Sequence, residues 1–294
     1  MKKIADSIRC VGLVANPEKP RIAVLVKRAC AVLRRLGRRI LFDSATAGLL
    51  GGAAESSGDL QALAARCDLL LVFGGDGTML RVARETAHQG VPILGVNAGS
   101  LGFLTAVPAS ELAASLGKVA AGKFRVEERA LLEAVVRRGG EETRQTALND
   151  FVLSRGLASR LIELEVSVNG ELLTRYRCDG LIASSPTGST AYSLAAGGAI
   201  VSPDADVLTL TPICPHTLSI RPVVVNLQSV VTVKTLSRRL VATLAADGQQ
   251  QTELGAGDTV SIRRAPDSVR LLRPEGTTFF STLRAKFGWS GTNI

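Results

Sequence analysis

Asp68-Leu69-Leu70-Leu71-Val72-Phe73-Gly74-Gly75-Asp76-Gly77-Thr78 is the stretch that decides the fold. Residues 69–73 form an unbroken apolar run, with the length and composition of a strand buried on both faces. Paired glycines close it, and a helix-patterned segment starts just beyond and runs to His88. In open α/β sheets that place, the carboxyl end of a strand, is where ligands bind. Glycines there let backbone N–H groups come close to a phosphate, and the start of a helix favours the anion. Asp76 is the odd member, because a carboxylate within a phosphate cradle is unfavourable unless it binds a metal or takes a proton. Asp76-Gly77 also suits an ordinary turn, so the residues alone leave both readings open. The stretch is neither Gly-x-Gly-x-x-Gly nor the Gly-Lys-Ser/Thr phosphate loop.

Working outward, residues 10–123 alternate strand and helix. Cys10–Ala15, Arg39–Phe42 and 91–96 read as strands, and 20–37 and 108–121 as helices, the last with Pro108 in its first turn. This rhythm predicts a parallel sheet with helices on its faces. From Phe124 the period falls to two. Residues 131–137 lead into Gly139-Gly140, and 161–168 into Asn169-Gly170, a strong hairpin signal. Further strands are expected at 207–211, 222–225, 230–235, 241–245, 260–263 and 269–272. Residues 188–200, rich in Ala and Gly, form the one helix-like island. Phe280, Leu283 and Phe287 recur at i, i+3 and i+7, predicting a last amphipathic helix. The expected organisation is an α/β domain over 1–123, rejoined by the tail at 276–294, and a β-rich domain over 124–275.

Composition removes several function classes. With 294 residues, at about 150 per domain, two domains are the expectation. A hydrophobic content of 46% excludes a disordered chain, and no apolar run approaches the ~20 residues that span a bilayer. Asp6, Arg9, Asn16 and Pro17 interrupt the amino-terminal stretch, so no secretory signal is read and the cytoplasm is the expected location. Lys and Arg exceed Asp and Glu by 9, which favours anionic partners. Aromatics at 4% give poor material for stacking bases, and the basic residues are scattered. A polyphosphate-bearing small molecule therefore fits better than nucleic acid or a membrane. Cys10, Cys30, Cys67, Cys178 and Cys214 are odd in number and widely spaced, as reduced thiols are. His88 and His216 are the only histidines, too few for a recognised zinc constellation.

The second informative cluster is Arg177-Cys178-Asp179-Gly180-Leu181-Ile182-Ala183-Ser184-Ser185-Pro186-Thr187-Gly188-Ser189-Thr190-Ala191-Tyr192. An Arg and an Asp precede a strand, and a hydroxyl-rich turn follows it. Such a turn suits hydrogen bonding to a base or ribose, though Thr187–Ser189 could equally cap a helix. No Gly-x-Ser-x-Gly elbow is present, which argues against a serine nucleophile.

Taken together, these motifs resemble the NAD kinase family, whose members phosphorylate the adenosine-ribose 2′-hydroxyl of NAD. Gly74–Thr78 matches its Gly-Gly-Asp-Gly-Thr motif, and Asn97-Ala98-Gly99-Ser100-Leu101-Gly102-Phe103-Leu104 is similar to its Asn…Gly-Phe loop. Leu148-Asn149-Asp150 resembles its Asn-Glu/Asp motif, and residues 179–198 its long Asp-Gly…Thr-Gly-Ser-Thr-Ala-Tyr segment. Asp247-Gly248-Gln249 and residues 279–289 also resemble family positions. Two departures are small: Cys178 stands where Gly or Ser is common, and Asp150 is the shorter of the two acids found there.

The resemblance implies a Rossmann-like or phosphofructokinase-like α/β domain, a β-sandwich-like second domain and a carboxyl-terminal helix returning to the first. It implies Asp76 as general base, with Gly74, Gly75, Gly77 and Thr78 at the phosphates. Asn149, Asp150 and Thr190 would hold the adenosine end, while Asp179 and Ala191 would face the nicotinamide amide. Tyr192 would pack on the dinucleotide, with Arg81, Arg160, Arg177 and Gln249 as further contacts. Phe103, Thr187, Ser189, Ser193, Leu194 and Ala195 complete the expected binding set. ATP with a divalent cation, Mg2+, is the implied donor system, and a homodimer or homotetramer the implied assembly. No metal ligand is picked out. Gly-Gly-Asp-Gly-Thr is shared with diacylglycerol-type lipid kinases, a rival that would leave Asn149-Asp150 and residues 187–192 without a purpose. A non-catalytic nucleotide- or nucleic-acid-binding protein has only the net charge behind it.

Overall fold

The computed structural model describes residues 2–19, 21–51, 55–99, 101–105, 107–156, 160–237 and 241–289. Pro20 of the expected helix, Ser100 of the expected loop and residues 290–294 of the expected tail lie outside them. The chain forms two compact units, one running to Glu128 and resuming at Ser268, the other Arg129–Asp267. Both crossings fall inside long strands, where no turn residue or shift in composition marks a boundary, rather than at 123/124 and 275/276.

The first unit is α/β. Its elements are α1 (Lys2–Ser7), β1 (Cys10–Ala15), α2 (Ile22–Arg35), β2 (Arg39–Phe42), α3 (Ser44–Leu49), α4 (Leu60–Ala64), β3 (Leu69–Gly74), α5 (Asp76–Thr86), β4 (Ile93–Asn97), β5 (Val107–Pro108) and α6 (Leu112–Ala120). The strands are parallel in the order β2-β1-β3-β4, with β5 added beside β4. All of β3 is buried, as its unbroken apolar run requires. Leu69, Leu71 and Phe73 share a core with Leu13, Leu94 and Val96, against Val26 and Leu33 of α2 and Leu116 of α6. A Cβ on Gly12 would lie within 3.0 Å of Leu63, Cys67 and Leu70, so β1 depends on glycine to pack there. Asp43 and Asp59 cap α3 and α4 by accepting from the amides of Thr46 and Ala62. Those two helices, and α1, are too short for apolar periodicity to announce them.

Pro108 does not open a helix. It extends β5 with φ −62 and ψ 144, and a 3-10 turn over Ala109–Glu111 precedes α6. Proline's fixed φ suits an extended edge residue as well as a first helical turn, and here pairing with β4 decides.

The chain leaves this unit along β6 (Phe124–Arg138). The second unit holds β7 (Glu141–Ala147), β8 (Asp150–Ser154), β9 (Ile162–Val168), β10 (Glu171–Cys178), β11 (Gly180–Ser184), α7 (Tyr192–Ala195), β12 (Val207–Ile213), β13 (Val223–Asn226), β14 (Val231–Thr235), β15 (Ala242–Ala246) and β16 (Gln250–Leu254). One antiparallel layer has the order β13-β12-β11-β8-β15-β16. A second contains β10-β9-β14. Phe151, Leu181, Leu210 and Leu244 of the first layer and Leu164, Val166, Tyr176 and Val233 of the second belong to one core. Asn169 and Gly170, with φ 52 and 86, make the expected two-residue turn between β9 and β10.

The helix-like island over 188–200 is mostly not helical. Thr187–Thr190 is a 3-10 turn and α7 has only four residues. The Ser189 hydroxyl donates to the Pro186 carbonyl and accepts from Val201 N–H, and these bonds compete with helix hydrogen bonding.

The return runs along β17 (Thr259–Pro274), one continuous strand where two were expected. Its start is antiparallel to β14, and Leu271 pairs parallel with Ile93 of β4. Then comes α8 (Phe279–Phe287), opened by a capping box between Thr278 and Ser281 and closed by Gly288 at φ 66. Of its predicted apolar stripe only Leu283 is buried; Phe280 and Phe287 stay exposed.

Leu71 is fully buried in the core of the first unit. Leu71→Ala is expected to lower the stability of that unit by about 2–5 kcal/mol, read as a lower midpoint in chemical denaturation followed by circular dichroism.

Candidate functional site

Two loop clusters gather the residues singled out in the sequence, one in each unit. In the first, β3 ends at Gly74, and Asp76 opens α5 with Gly75 as its N-cap. A Cβ on Gly74 would sit within 2.7 Å of Thr78 Cβ, so this glycine and the buried Thr78 lock the turn. Gly75 and Gly77 differ: apart from the adjoining residues and the backbone of their own helix, no atom lies within 4 Å of where their side chains would be. Packing does not demand glycine there, whereas a ligand seated on the backbone would.

The half-buried Asp76 carboxylate is held by two consecutive amides. Phe103 N–H donates to Oδ2 at 2.9 Å and Leu104 N–H to Oδ1 at 3.0 Å. Gly102 passes so close that any side chain there would collide with Asp76. Arg273, on β17, reaches the same loop from the other side. It donates to the carbonyls of Phe103 (2.8 Å) and Leu104 (3.4 Å) and pairs with Glu127 at 3.3 Å. The Phe103 ring lies 6.0 Å from Phe279 and 6.2 Å from Phe287, with Lys286 Nζ 4.9 Å from its centroid. A cavity of about 590 Å3 opens nearby, lined by Arg21, Asn97, Gly99, Leu101 and Pro108 among others. Arg81 is half-buried on α5.

In the second unit the organising residue is Asp247. Asp247 and Gly248, with φ 49 and 67, turn β15 into β16. The Asp247 carboxylate accepts from the amides of Leu148 (3.0 Å), Asn149 (2.7 Å) and Asp150 (3.2 Å). The carbonyls of the same loop are met by Ser185, whose hydroxyl donates to Leu148 O at 2.6 Å and whose amide donates to Asn149 O at 2.9 Å. Gly188 lies directly over Asn149 O, leaving no room for a side chain. Asn149, Asp150, Thr187 and Ser189 are thus brought together. Thr190 donates to Thr187 O at 3.3 Å, and the buried Ser193 hydroxyl bonds to Thr211 at 2.9 Å. The hydroxyls of Ser189 and Ser193 are engaged within the chain. Ala191 and Leu194 are half-buried, Ala195 is exposed and Tyr192 is 48% exposed.

Asp179 forms an ion pair with Arg155 at 2.7 Å, each about one-third exposed. Arg177 is exposed and paired with Glu163 at 3.3 Å. Arg160 and Gln249 are exposed. Sequence reading gave no role to Asp247, Arg155 or Arg273. Asp247 carried one local signal, an Asp-Gly turn between strands; the partners of the two arginines are set by strand pairing that no local pattern encodes.

Burial, and then the charge of Asp247, push the Asp150 carboxyl up to about 7. An unfolded Asp titrates near ~3.9. Between those values the native state holds a proton the unfolded chain has lost, so stability falls as pH rises and levels off above about 7. Burial raises Glu133, but together the hydrogen bonds and charges of Arg263 and Arg144 outweigh it and lower the group, while Arg137 lowers Glu142; both contributions vanish only in more acid solution.

Residues 11–124 match the family described as ATP-NAD kinase N-terminal domain, and 148–274 the ATP-NAD kinase C-terminal domain. The chain is 44% identical to the NAD kinase of Desulforamulus reducens over 94% of this chain and 96% of that one. It is 42% identical to the NAD kinase of Syntrophotalea carbinolica over 95% and 98%. Among solved structures, yeast NADH kinase complexed with NADH superposes with a TM-score of 0.89 at 26% identity, over 98% of this chain and 89% of that one. An NAD kinase from Archaeoglobus fulgidus in complex with ATP gives 0.74 at 25%, over 95% and 97%. The α/β and β-rich units are therefore those of a phosphotransferase acting on an alcohol group. The chain belongs to the NAD kinase family, and the lipid-kinase rival, which rested on Gly-Gly-Asp-Gly-Thr alone, is not favoured.

Two measurements check the second cluster. Asp247→Ala leaves several amides without their charged acceptor and is expected to cost about 2–3 kcal/mol of stability, with Asp247→Asn recovering at least half; denaturant midpoints decide. Stability followed from pH 5 to 8 should decline with a slope of up to ~1.4 kcal/mol per pH unit below neutrality, and Asp150→Asn should flatten that slope.

Proposed function

We propose that this chain transfers the γ-phosphoryl group of ATP to the 2′-hydroxyl of the adenosine ribose of NAD, yielding NADP and ADP. The observation that carries the reading is the Asp76 carboxylate, fixed by two backbone amides next to Gly75 and Gly77, where the space a side chain would take is clear of neighbouring segments. Each carboxylate oxygen accepts one amide and keeps a lone pair for a further proton. In this reading Asp76 takes the proton of the 2′-hydroxyl as its oxygen bonds to the γ-phosphorus and the bond to ADP breaks. Phosphoryl transfer asks the protein mainly for positioning and charge neutralisation.

Gly74, Gly75, Gly77 and Thr78 form the phosphate-facing turn. Asn149, Asp150 and Thr190 hold the adenosine end; a protonated Asp150 carboxyl both donates and accepts. Asp179 and Ala191 are assigned to the nicotinamide amide, Tyr192 to the face of the dinucleotide, and Arg81, Arg160, Arg177 and Gln249 to outer contacts. Phe103, Thr187, Ser189, Ser193, Leu194 and Ala195 shape the surrounding loops. Among the described residues no group of three or more His, Cys, Asp and Glu side chains is placed to cage a metal. Mg2+ would arrive with the ATP phosphates, where it neutralises charge. No helix of the described residues is long and apolar enough to cross a membrane, and the cysteines are free. We place the protein in the cytoplasm as a homodimer or homotetramer, without nucleic-acid or membrane partners.

Asp76→Asn keeps the turn and nearly the same volume but cannot take the proton. Turnover at saturating NAD, ATP and magnesium is expected to fall about 10²–10⁴-fold, while NAD binding by calorimetry stays within roughly tenfold. A folded variant retaining more than half its activity would remove Asp76 as the base.

A further inference from the structure

Arg273 is among the most deeply buried charges in the described chain, its side chain only 7% exposed. Burying an ion pair is weak evidence for stability, since an apolar side chain of similar volume often serves as well. What distinguishes Arg273 is where its fork points. Phe103 O and Leu104 N belong to one peptide group, and that group is planar and rigid. Its oxygen accepts from Arg273 at 2.8 Å, and its N–H donates to Asp76 Oδ1 at 3.0 Å. A second guanidinium nitrogen reaches Leu104 O at 3.4 Å, while Glu127 holds Nε from behind.

The structure assigns Arg273 as a positioning residue for Asp76, acting through the Phe103–Leu104 peptide. A cation at the carbonyl end polarises the peptide group and strengthens its N–H as a donor. The same contact fixes the plane of the peptide, and with it the angle at which the Asp76 carboxylate is presented. A planar fork with several donors holds two successive carbonyls and a carboxylate at fixed angles, whereas a lysine gathers its three donors on one flexible nitrogen. The inference rests on Asp76 being the base and goes beyond it by naming the residue that aims it.

The test is steady-state kinetics of the full-length protein with Arg273→Gln and Arg273→Lys, alone and combined with Asp76→Asn. Misplacement of a reacting group by about 1 Å can cost ~10²-fold, so Arg273→Gln is expected to lower kcat by roughly 10- to 100-fold with KM for NAD within about threefold. Arg273→Lys should recover part of the loss. In the Asp76→Asn background Arg273→Gln should change kcat by less than about twofold, because its effect runs through the group already removed. A role in stability alone would lower Tm and leave kcat per folded molecule unchanged, which overturns the proposal. Equal losses in both backgrounds overturn it too. Should Arg273→Gln not fold, Arg273→Lys decides by itself: a three- to tenfold drop in kcat supports the proposal and wild-type kcat defeats it. If Asp76→Asn is active, the base assignment fails and this inference with it; if Asp76→Asn is inactive while Arg273→Gln and Arg273→Lys turn over normally, only the role of Arg273 fails.

Discussion

Loops at the ends of buried strands carry amide N–H groups that no neighbouring strand can satisfy, and each one left bare inside a protein costs about 1–3 kcal/mol. Both units answer this constraint with an aspartate. Asp76 takes the amides of Phe103 and Leu104, and Asp247 takes those of Leu148, Asn149 and Asp150. In each case one carboxylate fixes a whole loop, because consecutive amides can converge on its two oxygens. The glycines follow from the same geometry. Gly102 must pass against Asp76, and Gly188 against the Asn149 carbonyl, with no space for a Cβ.

The two aspartates differ in what surrounds them. Asp76 is half-buried at a strand end, beside glycines whose missing side chains would meet no neighbouring segment. Asp247 lies beside a second, almost fully buried carboxyl, that of Asp150. Burial, and then the charge of Asp247, raise the Asp150 carboxyl, so it keeps its proton to a higher pH than an exposed aspartate does. A neutral acid keeps hydrogen-bonding capacity of both kinds in a loop otherwise lined by acceptors and hydroxyls.

The first unit was largely legible because its central strand is buried on both faces and so reads as an uninterrupted apolar run. The hairpin at Asn169-Gly170 was legible for a different reason: few residues tolerate positive φ at both turn positions. What escaped was of two kinds. Helices of five or six residues, such as α3 and α4, bury too little to impose a period. Pro108 and residues 188–200 carried local preferences that strand pairing and serine hydroxyls overrode. At the candidate site the motif residues stand out in the chain, but their supports do not. Arg273 is 170 residues from Phe103 and Asp247 98 from Asn149, and no spacing rule links positions so distant.

The strand Thr259–Pro274 also bears on how the protein is made. The first unit is discontinuous, and its loop at Phe103–Leu104 is complete only when Arg273 arrives. During synthesis, at about 5–20 residues per second, every residue of the second unit leaves the ribosome before that arginine does. A nascent chain stalled before Ser268 would carry Gly-Gly-Asp-Gly-Thr with one side of its supporting peptide unheld. The unit that carries the Asp76 loop is therefore finished last, after every residue of the second unit has been made.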